Sequence, residues 1–409
     1  MTTLSELPKQ PLSAGLELLK GVSVLDLTTS VAGPYGTLLL ADLGAEVVKV
    51  ERPSTGDDTR AWGPPFLDGE SLWFLAVNRN KSSITIDLTR AEGRQVLDQL
   101  IKISDVVVVN TSAAVQAKLG VDYARLSAIH PGLIHVSITG FGLQGPRAEL
   151  PCYDLIAEGY AGIMDLTGEP SNGPQKVGTP ASDLLAGQDA AMATLAALYD
   201  RQRTGKGRQI DISMVASSVR FMAPRIVPYL GSDEMPRRSG GRDSVIAIYQ
   251  VFDTADHPLT LGLGNDAIWK RFWSAVGKPE FGAQAELDTN AKRRNARERI
   301  VAAIADILIG RPRAEWLKLF ATHRIPAGPI NTIEQLVADP VLRDDGLFFA
   351  IDGPQGPIPQ VGLGIRFDGR TETTRMPPPT LGQHSGQILG QRLSMSPTCI
   401  AGLTDSEIV

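Results

Sequence analysis

A chain of 409 residues, 43% hydrophobic and 21% charged, has the balance of an ordinary soluble globular protein and is long enough for a large domain plus a smaller one. Its formal charge of -5 argues against nucleic acid as a default partner, and two cysteines, Cys152 and Cys399, exclude a disulfide framework and a cysteine-rich metal site. The polar start MTTLSELPKQPLSAG has no secretory signal and no apolar run reaches membrane-spanning length, so a cytoplasmic protein without membrane contact is expected.

The segment VSVLDLT (22–28) predicts a strand, GPYGTLLLADLGA (33–45) a helix opened by Pro34, and EVVKVER (46–52) a second strand, together a βαβ unit. Further strands are predicted over 82–89, 105–110 and 133–142, with helices over 90–103 and 123–129 between them. This alternation calls for an α/β, doubly wound, Rossmann-like domain with a mostly parallel sheet. Glu51, at the end of the second strand, stands where a dinucleotide fold keeps its ribose-binding carboxylate. The loop SVAGPYG, however, lacks the G-x-G-x-x-G that lets backbone approach a pyrophosphate, and RTGKGRQ lacks P-loop spacing. His130 and His135 are separated by Pro131, which breaks any helix between them, and are read as structural.

From Leu184 to Tyr199 small and apolar residues recur at helical spacing, and the many alanines and glycines keep the helix thin enough to pack closely against a neighbour. Asp183 stands at its head. An aspartate there is ordinarily an N-cap, yet a buried helix is a costly place for a charge without a purpose. Basic residues at 201–208 fit a helix C-terminus, and RQIDISMV alternates as a strand. Beyond residue 220 the loop PRRSGGRDS (236–244), an antiparallel strand pair and Trp- and Arg-rich helices indicate a smaller α+β domain. The expected division is 1–225 for the large domain, 226–325 for the small one, and 326–409 as linker and return to the large domain.

Taken in order, LKGVSVLDLT, LGAEVVKVERPSTGDDTR, NRNKSSITIDL, YDLIAEGYAGIMDLTG, ASDLLAGQDAAMATLAALYDRQRTGKGRQIDISM, IPAGPINTIEQLVADP and PPPTLGQHS resemble the family III CoA-transferases over nearly the whole chain. That group includes formyl-CoA transferase, carnitine CoA-transferase and, as a divergent branch, α-methylacyl-CoA racemase. The resemblance implies an interlocked homodimer with the site between the large domain of one subunit and the small domain of the other. It implies an acyl-CoA and a free carboxylic acid as substrates, no separate cofactor and no metal. Asp183 is then the nucleophile, forming a mixed anhydride and an enzyme thioester that conserve the acyl-transfer energy. The racemase branch pairs its aspartate with a histidine, where this chain aligns Tyr153, so racemization is the lesser alternative. A third possibility is a noncatalytic CoA-binding subunit of a heteromeric transferase.

By the same resemblance Asp154 matches an acidic position near the transferase site, with an ordinary helix-start carboxylate as the other reading. Val31 and Ala32 match pantetheine or adenine contacts, Arg52 a phosphate or adenine clamp, and Asn110 and Lys118 further nucleotide contacts. The family more often has arginine than lysine at the last of these, and Thr89 with Arg90 stands where some members have a lysine. Gly240 and Gly241 match a loop that shields the aspartyl intermediates. Arg238 and Arg242, with Arg237, flank it and could hold the second carboxylate of a dicarboxylic acid, or be solvated, or bind CoA phosphate.

Overall fold

The computed structural model describes residues 4–371 and 373–409; residues 1–3, in the polar N-terminal stretch, and Glu372, in the Pro-rich run, lie outside the described residues. The chain divides into two compact units. The first comprises Met1–Gly162, Val177–Ala223 and Val337–Val409, and the second Ile163–Lys176 and Pro224–Leu336. Among the described residues no helix is long and apolar enough to cross a membrane.

The first unit is built on six parallel strands, β1 (Ser23–Leu27), β2 (Glu46–Glu51), β3 (Lys81–Thr85), β4 (Val106–Val109), β5 (Ile134–Thr139) and β6 (Arg208–Ser213). Their order is β3-β2-β1-β4-β5-β6, the doubly wound arrangement expected from the alternation of elements. Near-continuous apolar strands suit a sheet covered on both faces, because successive side chains point to opposite sides. Thus Val24, Val106 and Val108 join α1 (Ala32–Asp42) and α4 (Ala181–Thr204) in one core, while Leu25, Val107 and Val109 join α2 (Ala91–Lys102) in the other.

The thin helix finds its neighbour in α1. A Cβ added to Gly187 would lie 2.6 Å from the Ala32 carbonyl oxygen, and one on Gly36 would lie 2.9 Å from the Gly187 oxygen. Only glycine at both positions permits this approach, which fixes the start of α4 beside the loop after β1. The helix ends at Gly205, in the left-handed region at φ +66°, and Arg201 ion-pairs with Asp105 at 2.7 Å beneath the sheet's other end. The C-terminal segment returns to the same unit: Arg375 donates to the carbonyl oxygens of Ala41 and Ala45, at the end of α1 and just beyond it.

In the second unit β7 (Tyr249–Phe252) and β8 (Leu259–Gly262) form the expected antiparallel pair. A third strand, β9 (Ala327–Pro329), adds to β8 from a segment whose Pro and Gly hide its strand character. Helices α5 (Asp266–Ala275), α6 (Arg297–Leu308) and α7 (Arg313–Thr322) close a core around Trp269, Phe272, Trp273, Trp316 and Phe320. The segment 163–176 packs with this unit through a bond from the Gly240 N–H to the Gly168 oxygen at 3.0 Å.

Candidate active site

In this strand order the winding reverses between β1 and β4, and a ligand crevice is expected outside their carboxyl ends. A crevice of about 410 Å³ opens there in the first unit. Ser30 and Ala32 follow β1, Asn110 and Thr111 follow β4, and Tyr153 and Asp183 close the wall.

The loop after β1 is held in place by charges with no access to solvent. Lys49 ion-pairs with Asp57 at 2.8 Å and donates to the Thr28 carbonyl at 2.9 Å, while Asp57 accepts from the Ser30 N–H at 3.0 Å. Asp26 pairs with Lys81 at 3.0 Å and accepts from Thr37 and from Thr28. Burial alone would lower the Lys49 pKa, but the charges of Asp26, Asp57 and Glu51 outweigh it and raise the value. Lys81, with one carboxylate fewer close by, is pulled by burial down to about 8. From the other side Asn110 accepts from the Thr29 N–H at 3.1 Å and donates to the Thr29 oxygen at 2.7 Å. Glu51, tempting in the sequence as a ribose ligand, is consumed internally: it takes two bonds from Arg60, at 2.7 and 2.8 Å, and one from Ser83.

The head of α4 corrects the N-cap expectation. Asp183 is not the N-cap; it is the third residue of the helix, whose N-cap is Pro180 with no side-chain bond. The capping is done by Asp154, at the start of α3 (Asp154–Tyr160), which accepts from the N–H groups of Ser182 at 2.8 Å and Asp183 at 3.3 Å. The Asp183 carboxylate, relieved of that duty, faces the crevice. Nor is it held firmly ionised by the helix dipole. Burial first, and then the negative charge of Asp154, push its pKa up to about 7. A first-turn dipole contributes about 0.3–1 kcal/mol, too little against a shift of some 3 pH units at about 1.36 kcal/mol each. Asp183 is therefore a basic carboxylate, and a basic carboxylate is a better nucleophile.

Of the other residues singled out in the sequence, Ala32, Asn110 and Tyr153 line the crevice beside Asp183, and Tyr153 is 65% exposed. Val31 is buried at the N-cap of α1. Arg52 ion-pairs with Asp58 and donates to the Gly56 oxygen, and Lys118 is exposed near the end of a short helix, Ala113–Leu119; neither lines the crevice. Arg238, Gly240, Gly241 and Arg242 belong to the second unit. Gly240 has φ +60°, and a Cβ there would strike the Glu169 carboxylate, while the Gly241 oxygen accepts from the Val251 N–H. Asp58 and Cys152 also line the crevice and were not singled out as site residues in the sequence. Asp58 follows the buried Asp57, and only the pairing of Lys49 with Asp57 separates their roles. Cys152 borders Asp183, and burial together with the Asp183 charge pushes its thiol up to about 11, so it stays protonated beside the aspartate and does not compete as a nucleophile.

A doubly wound sheet with a carboxylate facing the crevice at its switch point is chemically suited to acyl transfer. The chain belongs to CoA-transferase family III, whose family model matches residues 19–385. It is 36% identical over 392 residues to succinyl-CoA:glutarate CoA-transferase of Mus musculus, covering 96% of this chain and 90% of that protein. It is 37% identical over 380 residues to succinate–glutarate CoA-transferase of Agrobacterium fabrum, covering 91% and 95%. A solved structure of a CaiB/BaiF family protein from Brucella suis superposes with a TM-score of 0.80 at 38% identity, covering 91% of this chain and 98% of that one.

Proposed function

We propose that this CoA-transferase moves CoA between two carboxylic acids, at least one of them a C4 or C5 dicarboxylic acid, with Asp183 as the covalent carboxylate. The observation that carries the reading is the Asp183 carboxylate, free of hydrogen bonds to the described residues and facing the switch-point crevice while Asp154 takes over the cap. Asp183 attacks the thioester carbonyl of the donor, the C–S bond breaks, and a mixed anhydride and CoA thiolate form. The thiolate attacks the Asp183 carbonyl, releasing the donor acid and leaving an aspartyl-CoA thioester. The acceptor carboxylate attacks that thioester, its C–S bond breaks to release CoA thiolate and a second mixed anhydride forms; the thiolate then attacks the acceptor's acyl carbon, giving the acceptor's acyl-CoA and restoring the Asp183 carboxylate. No water, electron or metal enters these steps, so acyl-CoA and a free acid suffice. Val31, Ala32, Arg52, Asn110, Lys118 and Tyr153 are assigned to the CoA moiety, on the family resemblance and, for Ala32, Asn110 and Tyr153, on their place in the crevice.

The dicarboxylate preference is supported by relatives named for succinate and glutarate and by the basic loop of the second unit. Arg238 and Arg242 are assigned to the acid's far carboxylate, and Gly240 with Gly241 to the cover over the intermediates. The proposed working form is a cytoplasmic homodimer without nucleic-acid or membrane partners, with a small domain over 226–325 between the two large-domain segments. The two unpaired cysteines fit a reducing compartment. A matrix of acyl-CoA donors against mono- and dicarboxylic acids tests the reading. Succinate- and glutarate-type acids should be the fastest acceptors, and Arg238→Ala and Arg242→Ala should raise KM for them far more than for monocarboxylates. A wild-type preference for monocarboxylates would remove the dicarboxylate assignment, and a stable, active monomer in analytical ultracentrifugation would remove the dimer.

A further inference from the structure

Apart from the Asp183 crevice, the second unit contains a cavity of about 420 Å³ into which six arginines converge: Arg225, Arg237, Arg238, Arg242, Arg294 and Arg297. Their compensation is thin. Asp243 ion-pairs with Arg225 at 2.7 Å, and among the described residues Glu234 is the one carboxylate on the wall. Several of the guanidiniums are positioned by neutral groups. Arg297 donates to the backbone oxygens of Asp243, Ile246 and Ala247, and Arg225 to the Ser244 hydroxyl at 3.1 Å. Arg238 keeps Nη1 buried with no hydrogen-bond partner. Such a group costs free energy unless something accepts from it. The Arg297 pKa is lowered by burial and then by the Arg242 charge, the mark of like charges brought close together. A solvated basic face would spread its cations and pair them; this cavity concentrates them.

The same cavity has apolar lining as well, with Tyr229, Met235 and Val245 exposed at 37%, 63% and 47%. A lone carboxylate would use one or two arginines and leave this wall bare. Planar guanidiniums grip phosphate oxygens two at a time, and an exposed aromatic ring beside arginines is a stacking platform for a heterocycle. The cavity has the size of a small-molecule site. From these features we infer that the second unit carries a binding site for a nucleoside phosphate, its phosphates on Arg225, Arg237, Arg294 and Arg297 and its base against Tyr229 and Met235. The source is either a free nucleotide or the nucleotide end of a CoA molecule. The inference goes beyond the transferase reading and does not need it, since Arg225, Arg237, Arg294 and Arg297 have no part in the proposed acyl transfer.

Isothermal titration of the full chain with ADP, adenosine 3′,5′-bisphosphate and inorganic pyrophosphate tests the site. Saturable nucleotide binding is expected in the wild type and in Asp183→Ala. Arg294→Ala and Arg237→Ala alter exposed arginines and should weaken it at least about tenfold while circular dichroism stays unchanged. Tighter binding of ADP identifies a free nucleotide, and tighter binding of the bisphosphate identifies the CoA end. Absence of saturable nucleotide binding, equal affinity in both arginine variants, or pyrophosphate binding as tightly as the nucleotides would overturn the inference. Loss of transfer in Asp183→Ala with nucleotide binding retained keeps the two claims separable.

Discussion

Replacing Asp183 by asparagine keeps the side chain's shape and removes its titration, so the consequence for stability is set by the pKa shift. The value rises from 3.8 to about 7, because of burial and then the Asp154 charge. A shift of some 3 units corresponds to about 4 kcal/mol at 1.36 kcal/mol per unit, and allowance for the solvent that reaches the carboxylate through the crevice brings this to about 2–4 kcal/mol. Because the folded state holds the proton more tightly than the unfolded chain, ionisation destabilises the fold. The penalty begins as pH rises past the unfolded value near 4 and is complete above about 7. Urea unfolding of wild type and Asp183→Asn at one protein concentration should therefore show the variant gaining on the wild type by about 1–2.5 kcal/mol between pH 5 and pH 8. Any pH-independent effect of the amide cancels in that difference. A stability gap that is flat or narrows as pH rises would refute the claim that Asp183 is a destabilised, basic carboxylate.

The same shift places the midpoint of kcat/KM against pH near 7, with activity rising toward the alkaline side; Asp154→Asn, which removes the like charge but keeps an oxygen for the cap, should move that midpoint down in stopped-time assays. Gly187→Ala would put a methyl group 2.6 Å from the Ala32 oxygen, so lower stability by about 1–3 kcal/mol in urea unfolding and a reduced kcat are expected. Lys49→Met takes from the buried Asp57 its ion-pair partner and should cost about 3–5 kcal/mol by the same assay, with the loop after β1 losing its anchor. A chiral 2-methylacyl-CoA incubated in deuterated water should acquire no α-deuterium by mass spectrometry, since the family resemblance aligns Tyr153, which lines the crevice, with the histidine of the racemases; rapid exchange dependent on Asp183 would restore the racemase alternative.

Strand and helix periods carried most of the doubly wound unit, because runs such as VVVV at 106–109 admit few alternatives in a sheet buried on both faces. That α4 packs closely against a neighbour was legible in Gly187 and the alanines of the same helix, but the sequence did not say that the neighbour is α1. What stayed hidden depends on contacts across long sequence separations. No local rule says that Asp154 caps a helix 28 residues later, or that Lys49 finds Asp57 while Glu51 finds Arg60. The Asp183 pKa is hidden for the same reason: the local pattern offers a helix dipole that favours the charge, while burial and Asp154, both tertiary, oppose it more strongly. The arginine cavity was half visible as PRRSGGR, but Arg225, Arg294 and Arg297 reach it from other segments.

Covalent capture at Asp183 is the most direct measurement. Wild-type protein mixed with succinyl-CoA or glutaryl-CoA and quenched with hydroxylamine should yield a hydroxamate on the peptide containing Asp183, read by mass spectrometry as one modified residue that is absent in Asp183→Ala. An unmodified Asp183 in protein that turns over, or an adduct on another residue, would contradict the account.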